Sequence, residues 1–407
     1  MSVYNVNLHE AVYSLSDALD LVGVTHIHHG KRVAFMAAEC GKHLGWHGQN
    51  LDDLFQAAIL HDSGVSRTLI HSKLAQFEWE QEADHCKIGA ELLASSPLLK
   101  HLSDTILYHH THWLLLNTLE LPPEVKLHAN CIYMVDRVDV LSLGVMAQHQ
   151  DILLGKDEIR NKITEKRGDW FCPELVDAFL EVSHSDAFWF ALEGDHVNGY
   201  LSTWLSHSTE RGMKFEELKG LVQIFSHIVD AKSPFTRQHS DGVAILARYL
   251  GNLFSLPERN CEMLELAGFL HDIGKLRVPD EILEKTGKLT TAESISMRHH
   301  SFDTYGILKH IKGMEEIALW AAQHHERVNG SGYPYQLGKG EISLEARIIA
   351  VADVFQALAQ KRPYRDSLPP QEILSTLQAQ VSDGKLDAAI VTKVGENLQE
   401  CWRVAMP

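Results

Sequence analysis

Apolar residues recur at three- and four-residue spacing through most of the chain, as in Val243 to Phe254 (VAILARYLGNLF) and Cys261 to Leu270 (CEMLELAGFL). That period places one apolar face along each segment, so these stretches read as helices that bury one side. Period-two alternation, the mark of a half-buried strand, is nearly absent. The richest break, Asn329 to Pro334 (NGSGYP), reads as an ordered loop with several special backbone conformations. The expected fold class is all-α.

The pattern repeats. His29 and His61 lie 32 residues apart, as do His239 and His271; His85 and His110 lie 25 apart, as do His300 and His325. The surrounding text also matches: RVAFMA beside GVAILA, LHDSG beside LHDIG, HCKIGAELL beside HSFDTYGIL, MVDRVDVL beside VADVFQAL. Self-similarity of this kind marks a tandem duplication, and the drift of the offset from 210 to 217 is what loop insertions produce. The polar stretch Ser206 to Lys214 (SHSTERGMK) is the natural boundary, giving helical domains over residues 1–205 and 206–407.

Composition narrows the function. With 45% apolar and 22% charged residues, the chain reads as folded and soluble. A formal charge of −17 repels polyanions, which argues against duplex DNA or RNA and leaves a small phosphorylated ligand open. Six scattered cysteines without a Cys-x-x-Cys pair fit a reducing compartment, so a cytoplasmic location is expected. The start MSVYNVNLHE has no basic-then-apolar leader, and no run of about 18 uncharged apolar residues occurs, so neither secretion nor a membrane partner is expected. The 26 histidines change the picture, because imidazole is the commonest metal ligand.

The strongest local signal is His271-Asp272, at the end of an apolar helix and followed by Ile273-Gly274-Lys275. Alone, a His-Asp pair reads equally as a helix-end hydrogen bond. Here it is joined by His239, His300, His324, His325, and Asp353 in the apolar stretch RIIAVADVFQAL, where an unpaired carboxylate would be costly. Mixed nitrogen and oxygen donors suit Fe, Mn, Co, Ni or Zn rather than a thiolate-rich zinc site.

From roughly Glu216 to the end, the chain resembles the HD-GYP family of the HD metallophosphohydrolase superfamily, with SPFTRQHS, HDIGK, HHERVNGSGYP, RIIAVADVF and RPYR in the family's order. The resemblance implies an all-α HD-GYP domain that hydrolyses a 3′,5′-cyclic dinucleotide using divalent transition metals, Fe or Mn favoured. It implies His239, His271, Asp272, His300, His324, His325 and Asp353 as ligands, with Asp272 bridging two ions. His300 is preferred to His299 because eight residues separate it from Leu308, as in the family's spacing. Asp272 and Lys275 would be catalytic; Lys275, Arg327, Gly330, Gly332, Tyr333, Pro334, Gln356, Arg362 and Arg365 would hold substrate.

Two departures refine this. Some family members carry a metal-binding Glu four residues before the first ligand histidine; here Phe235 cannot ligate, so two ions rather than three are expected. Three residues after Asp353 the family commonly has Asp, and this chain has Gln356, whose amide can pair with adenine as well as guanine. That tilts the expected substrate from cyclic di-GMP to 3′,3′-cyclic GMP-AMP (cGAMP). A cyclic-dinucleotide receptor without turnover is the competing class.

The first copy keeps His29, His61, Asp62, His85, His109, His110 and Asp136, so it too is expected to bind metal. It has Val65 in place of Lys275 and lacks counterparts of GSGYP and RPYR. An HD-type domain with metal but no grip on a cyclic dinucleotide suits a 5′-phosphate on the ring-opened product; a regulatory or homodimerising domain is the alternative.

Overall fold

The computed structural model describes residues 2–22, 28–65, 83–148, 151–206, 211–232, 239–361 and 366–406. The chain packs as two units, Leu8–Thr209 and Met1–Asn7 with Glu210–Pro407. A linear division at 205/206 does not anticipate the placement of the first residues. Strand β1 (Val3–Val6) pairs antiparallel with β2 (Arg211–Lys214), Val3 opposite Lys214 and Val6 opposite Arg211. Its alternation is short but real: Tyr4 and Val6 are buried while Val3 is exposed, and the Tyr4 hydroxyl donates to Glu262 Oε2 at 2.8 Å.

Among the described residues, everything else regular is helical, and the helices of the two units correspond. In the first unit the site is built by α1 (Leu8–Leu19), α2 (His29–His43), α3 (Gly48–Leu60), α4 (Ala83–Ala94), α5 (Ser103–Tyr108) and α6 (Pro123–Met146). In the second it is built by α7 (Phe215–Lys232), α8 (His239–Leu253), α9 (Glu258–Leu270), α10 (Thr291–Leu308), α11 (Glu315–Ala322) and α12 (Leu344–Ala359). The core of each unit is aliphatic and aromatic, with Leu54, Phe55, Ile132 and Val135 buried in one and Leu264, Leu266, Ile349 and Phe355 in the other.

Capping sets several boundaries. At the start of α10, Thr290 and Glu293 form a reciprocal capping box, the Thr290 hydroxyl on the Glu293 N–H and the Glu293 carboxylate on the Thr290 N–H. Helices α3 and α9 both stop at the His-Asp pair, where the chain must approach α4 or α10 closely. A Cβ on Gly64 would lie 2.0 Å from the His85 carbonyl oxygen, and one on Gly274 would lie 2.0 Å from the His300 carbonyl oxygen. Only glycine permits that approach, which brings the third histidine against the His-Asp pair in both units.

Candidate metal centres

Four of the candidate ligand histidines of the second unit are oriented by hydrogen bonds within the protein. The Nδ1 atoms of His271, His300 and His324 lie 2.7, 2.5 and 2.6 Å from the carbonyl oxygens of Gly268, Met297 and Ala321, each three residues earlier. A carbonyl can only accept, so Nδ1 carries the proton and Nε2 turns a lone pair inward. His239 is fixed the same way by the Gln356 amide oxygen, 2.5 Å from its Nδ1. Helical geometry thus converts the spacing of these residues into a set of converging donors.

Two groups converge on Asp272. Its Oδ2 lies 3.3 Å from His271 Nε2 and 3.7 Å from His239 Nε2, and Asp353 Oδ1 completes that side at 3.2 Å from His239 Nε2. Its Oδ1 lies 3.7 Å from His300 Nε2 and 3.8 Å from His324 Nε2. The ligand atoms of His300, His324 and His325 fall within 4.8 Å of one another, as do those of His239, His271 and Asp353. One carboxylate therefore faces both donor groups.

These donors fit metal ions. His271 Nε2 stands 3.3 Å from His239 Nε2, and His300 Nε2 stands 3.3 Å from His324 Nε2. Two lone pairs at that separation repel, whereas two imidazoles on one ion, with bonds of about 2.0–2.1 Å, stand about 3.3 Å apart. Asp272 Oδ1 is also buried without a hydrogen-bond partner, an arrangement a cation relieves. The electrostatics agree. Burial alone would raise the Asp272 carboxyl, but His271 and Lys275 hold it well below the usual carboxylate range. Burial pushes His300 down to about 4 and His325 down to about 3, so both present neutral nitrogens at pH 7. His299, by contrast, is exposed.

Around this centre, Lys275 Nζ lies 2.5 Å from Asp272 Oδ2, on the turn that follows α9. Tyr333 packs its ring 4.8 Å from that of His325, with the Arg298 guanidinium 5.4 Å above it. Burial raises the Tyr333 hydroxyl far above its ordinary pKa, so it stays a donor. Gly330 takes φ +78°, and a Cβ on Gly332 would lie 2.5 Å from the Arg327 nitrogen, so the NGSGYP loop folds tightly back on residues 325–327. Pro334 follows through a cis peptide bond. Arg327 is half-buried on the same turn. Arg362, Arg365 and Phe235 lie outside the described residues.

Gln356 requires a correction. It was expected against a base, but it is 1% exposed and holds His239 from behind, so its amide oxygen is already committed to the imidazole. The sequence reading also missed Glu326, a buried carboxylate that accepts the Tyr335 N–H at 2.7 Å and the Leu337 N–H at 3.0 Å and so anchors the loop. An acidic residue directly after the paired histidines was the available signal.

The first unit repeats the centre. His29 Nε2 is 3.2 Å from His61 Nε2 and 3.3 Å from Asp136 Oδ1, and Nδ1 of His61 and His109 lie 2.8 and 2.6 Å from the carbonyls of Ala58 and Ile106. Asp62 again turns one oxygen to each side, Oδ2 at 3.6 Å from both His29 and His61 and Oδ1 at 3.9 Å from His85. His110 Nε2 lies 3.9 Å from Asp136 Oδ2. Behind His29 stands Asp139, 2.8 Å from its Nδ1 and paired with Arg32. These replace Gln356 and Gly242: a Cβ on Gly242 would lie 2.8 Å from Gln356 Cγ, so the smaller residue makes the room that the amide fills. Residues Asp139, Arg32 and Cys86, which lies beside His85, were not singled out from sequence.

Comparison with known proteins places this geometry. Two HD-domain family models match, over residues 27–141 and 223–390. The chain is 35% identical over 412 aligned residues to the 3′3′-cGAMP-specific phosphodiesterase 1 of Vibrio cholerae, covering 99% of this chain and 94% of that protein. This chain belongs to the HD-GYP family of phosphodiesterases. Another HD-GYP relative, the cyclic di-GMP phosphodiesterase response regulator RpfG of Xanthomonas campestris, is 39% identical over 40% of this chain and 43% of its own length. The fold agrees with a crystal structure described as a cyclic GMP-AMP specific phosphodiesterase of V. cholerae, at TM-score 0.64, 24% identity and 98% coverage of both chains. In this HD-GYP chain, no helix among the described residues is long and apolar enough to cross a membrane.

Proposed function

We propose that the second domain opens a 3′,5′-cyclic dinucleotide, 3′,3′-cGAMP in preference to cyclic di-GMP, and that the first domain removes the 5′-phosphate of the linear product. The observation that carries the first step is the placement of Asp272, with Oδ2 toward His239 and His271 and Oδ1 toward His300 and His324. His239, His271, Asp353 and Asp272 would hold one divalent ion and His300, His324, His325 and Asp272 a second, Fe or Mn favoured. Such a pair supplies Lewis-acid activation of water and neutralises phosphate charge. With Phe235 where some relatives have a ligating Glu, two ions rather than three complete the site.

The chain's own groups do the rest. Lys275 swings from Asp272 to donate to a non-bridging phosphate oxygen, and the Tyr333 hydroxyl, kept protonated by burial, is a second donor for the ligand. Arg327, Gly330, Gly332 and Pro334 shape the loop against which the ligand rests. Water adds to phosphorus, the bond to the 3′ oxygen breaks, that oxygen leaves as a hydroxyl after taking a proton, and the 5′ oxygen keeps the phosphate. The cGAMP preference now rests on the relatives' substrates rather than on Gln356.

For the first domain the support is a complete donor set without the ring-holding parts. Val65 is buried where Lys275 would stand, and the turn after His110 is tied down by the Trp113 and Leu114 N–H groups on the carbonyls of Trp170 and Asp169, each at 2.9 Å. A terminal phosphate asks for less room than a ring. The test is to incubate the protein loaded with Mn, Fe or Zn, singly and together, with cGAMP, cyclic di-GMP and cyclic di-AMP and identify products by mass spectrometry. Fastest loss of cGAMP with release of inorganic phosphate is expected; intact cyclic dinucleotides with every metal would overturn the reading.

A further inference from the structure

Resting on the reading of the first domain as metal-binding, we infer that Cys86 is itself a ligand there, making the second metal position of that domain a thiolate site selective for zinc. The ligand atoms of His85, Cys86, His109 and His110 all lie within 4.8 Å of one another. Cys86 Sγ is 3.5 Å from His85 Nε2 and 3.9 Å from His109 Nε2. With zinc–sulfur and zinc–nitrogen bonds of about 2.3 and 2.0–2.1 Å, a tetrahedral ion separates its sulfur and nitrogen ligands by about 3.6 Å, so little adjustment is required. His109 is already oriented, its Nδ1 on the Ile106 carbonyl, so Nε2 faces the sulfur.

The second domain supplies the contrast. Ser301 occupies the place of Cys86, its hydroxyl 3.2 Å from His300 Nε2, and a neutral hydroxyl is a poor ligand. Among the described residues Cys86 is the one cysteine grouped with other donors; the remaining five are buried elsewhere. A thiolate favours zinc or cobalt over manganese, whereas the imidazole and carboxylate set of the second domain accepts Mn or Fe. The two domains therefore hold different metals.

The test uses full-length protein carrying His271→Ala and Asp272→Ala, which confines strong binding to the first domain. Loaded with Co(II), it should show a near-ultraviolet sulfur-to-cobalt charge-transfer band beside the visible ligand-field bands. Adding Cys86→Ser should abolish the first, keep the second, and weaken zinc binding relative to manganese by at least tenfold. Ligand-field bands without the charge-transfer band would overturn the role of Cys86 while leaving the domain a metal site; absence of cobalt binding would overturn both. The parent spectrum decides the matter even where Cys86→Ser does not fold.

Discussion

The two units place seven candidate metal-ligand residues at matching positions, yet differ at several residues just outside them. The shared part is set largely by the backbone: histidines locked by carbonyls three residues earlier, an aspartate with an oxygen toward each donor group, and Gly64 or Gly274 admitting the third histidine. The divergent part surrounds these groups. Lys275 corresponds in sequence to Val65, Ser301 to Cys86, Gly242 with Gln356 to Arg32 with Asp139, and the loop anchored by Glu326 to a turn tied to residues 169–170. The two units share the candidate ligand positions and differ at their rim, so ligand sets alone do not report substrate.

The sharpest way to break this comparison is at Lys275. Lys275→Ala should slow ring opening on the order of 10²–10³-fold, because it removes the cation proposed to donate to the phosphate. The reciprocal Val65→Lys should confer no ring opening on the first domain, since the loop is still missing. Initial rates on cGAMP check both.

A tenfold effect is expected at Glu326. Glu326→Ala strands the Tyr335 and Leu337 N–H groups, costing about 1–3 kcal/mol of local order, and should raise KM about tenfold with a smaller loss in kcat. Unchanged KM would mean that the loop holds itself.

Proton release offers a finer test of the first cradle. Burial alone would lower His29, but the hydrogen bonds and charges of Asp136 and Asp139 raise it to about 10, so the metal-free first site carries a proton at pH 7. Metal must displace that proton, and apparent affinity should rise up to tenfold per pH unit below about 10. Asp139→Asn should flatten this dependence, as calorimetry in buffers of different ionisation enthalpy would show.

The smallest effect is at Gln356. Because it supports His239 rather than a base, Gln356→Asp should change rates on cGAMP and cyclic di-GMP by the same factor. A shift in their ratio would return Gln356 to base recognition.

Much of this was legible in the sequence. Helical period, duplication and ligand spacing are local or regular, and LHDIGK with HHERVNGSGYP carried the centre. The strand β1 was not legible, because four residues of alternation say nothing without the partner at 211–214. Nor was the position of Gln356: spacing places Asp353 and Gln356 on one helical face, but only packing shows that this face meets Nδ1 of His239. Cys86 was hidden for the same reason, its neighbours arriving from α4 and α5.

The central claim, a division of labour between twin centres, is tested most directly by following cGAMP through the metal-loaded wild type and two double variants with mass spectrometry. His271→Ala with Asp272→Ala should leave cGAMP intact; His61→Ala with Asp62→Ala should consume it and accumulate the 5′-phosphorylated linear dinucleotide; the wild type should release inorganic phosphate. Ring opening that survives loss of His271 and Asp272, or a first-domain variant that accumulates no phosphorylated intermediate, would contradict the account.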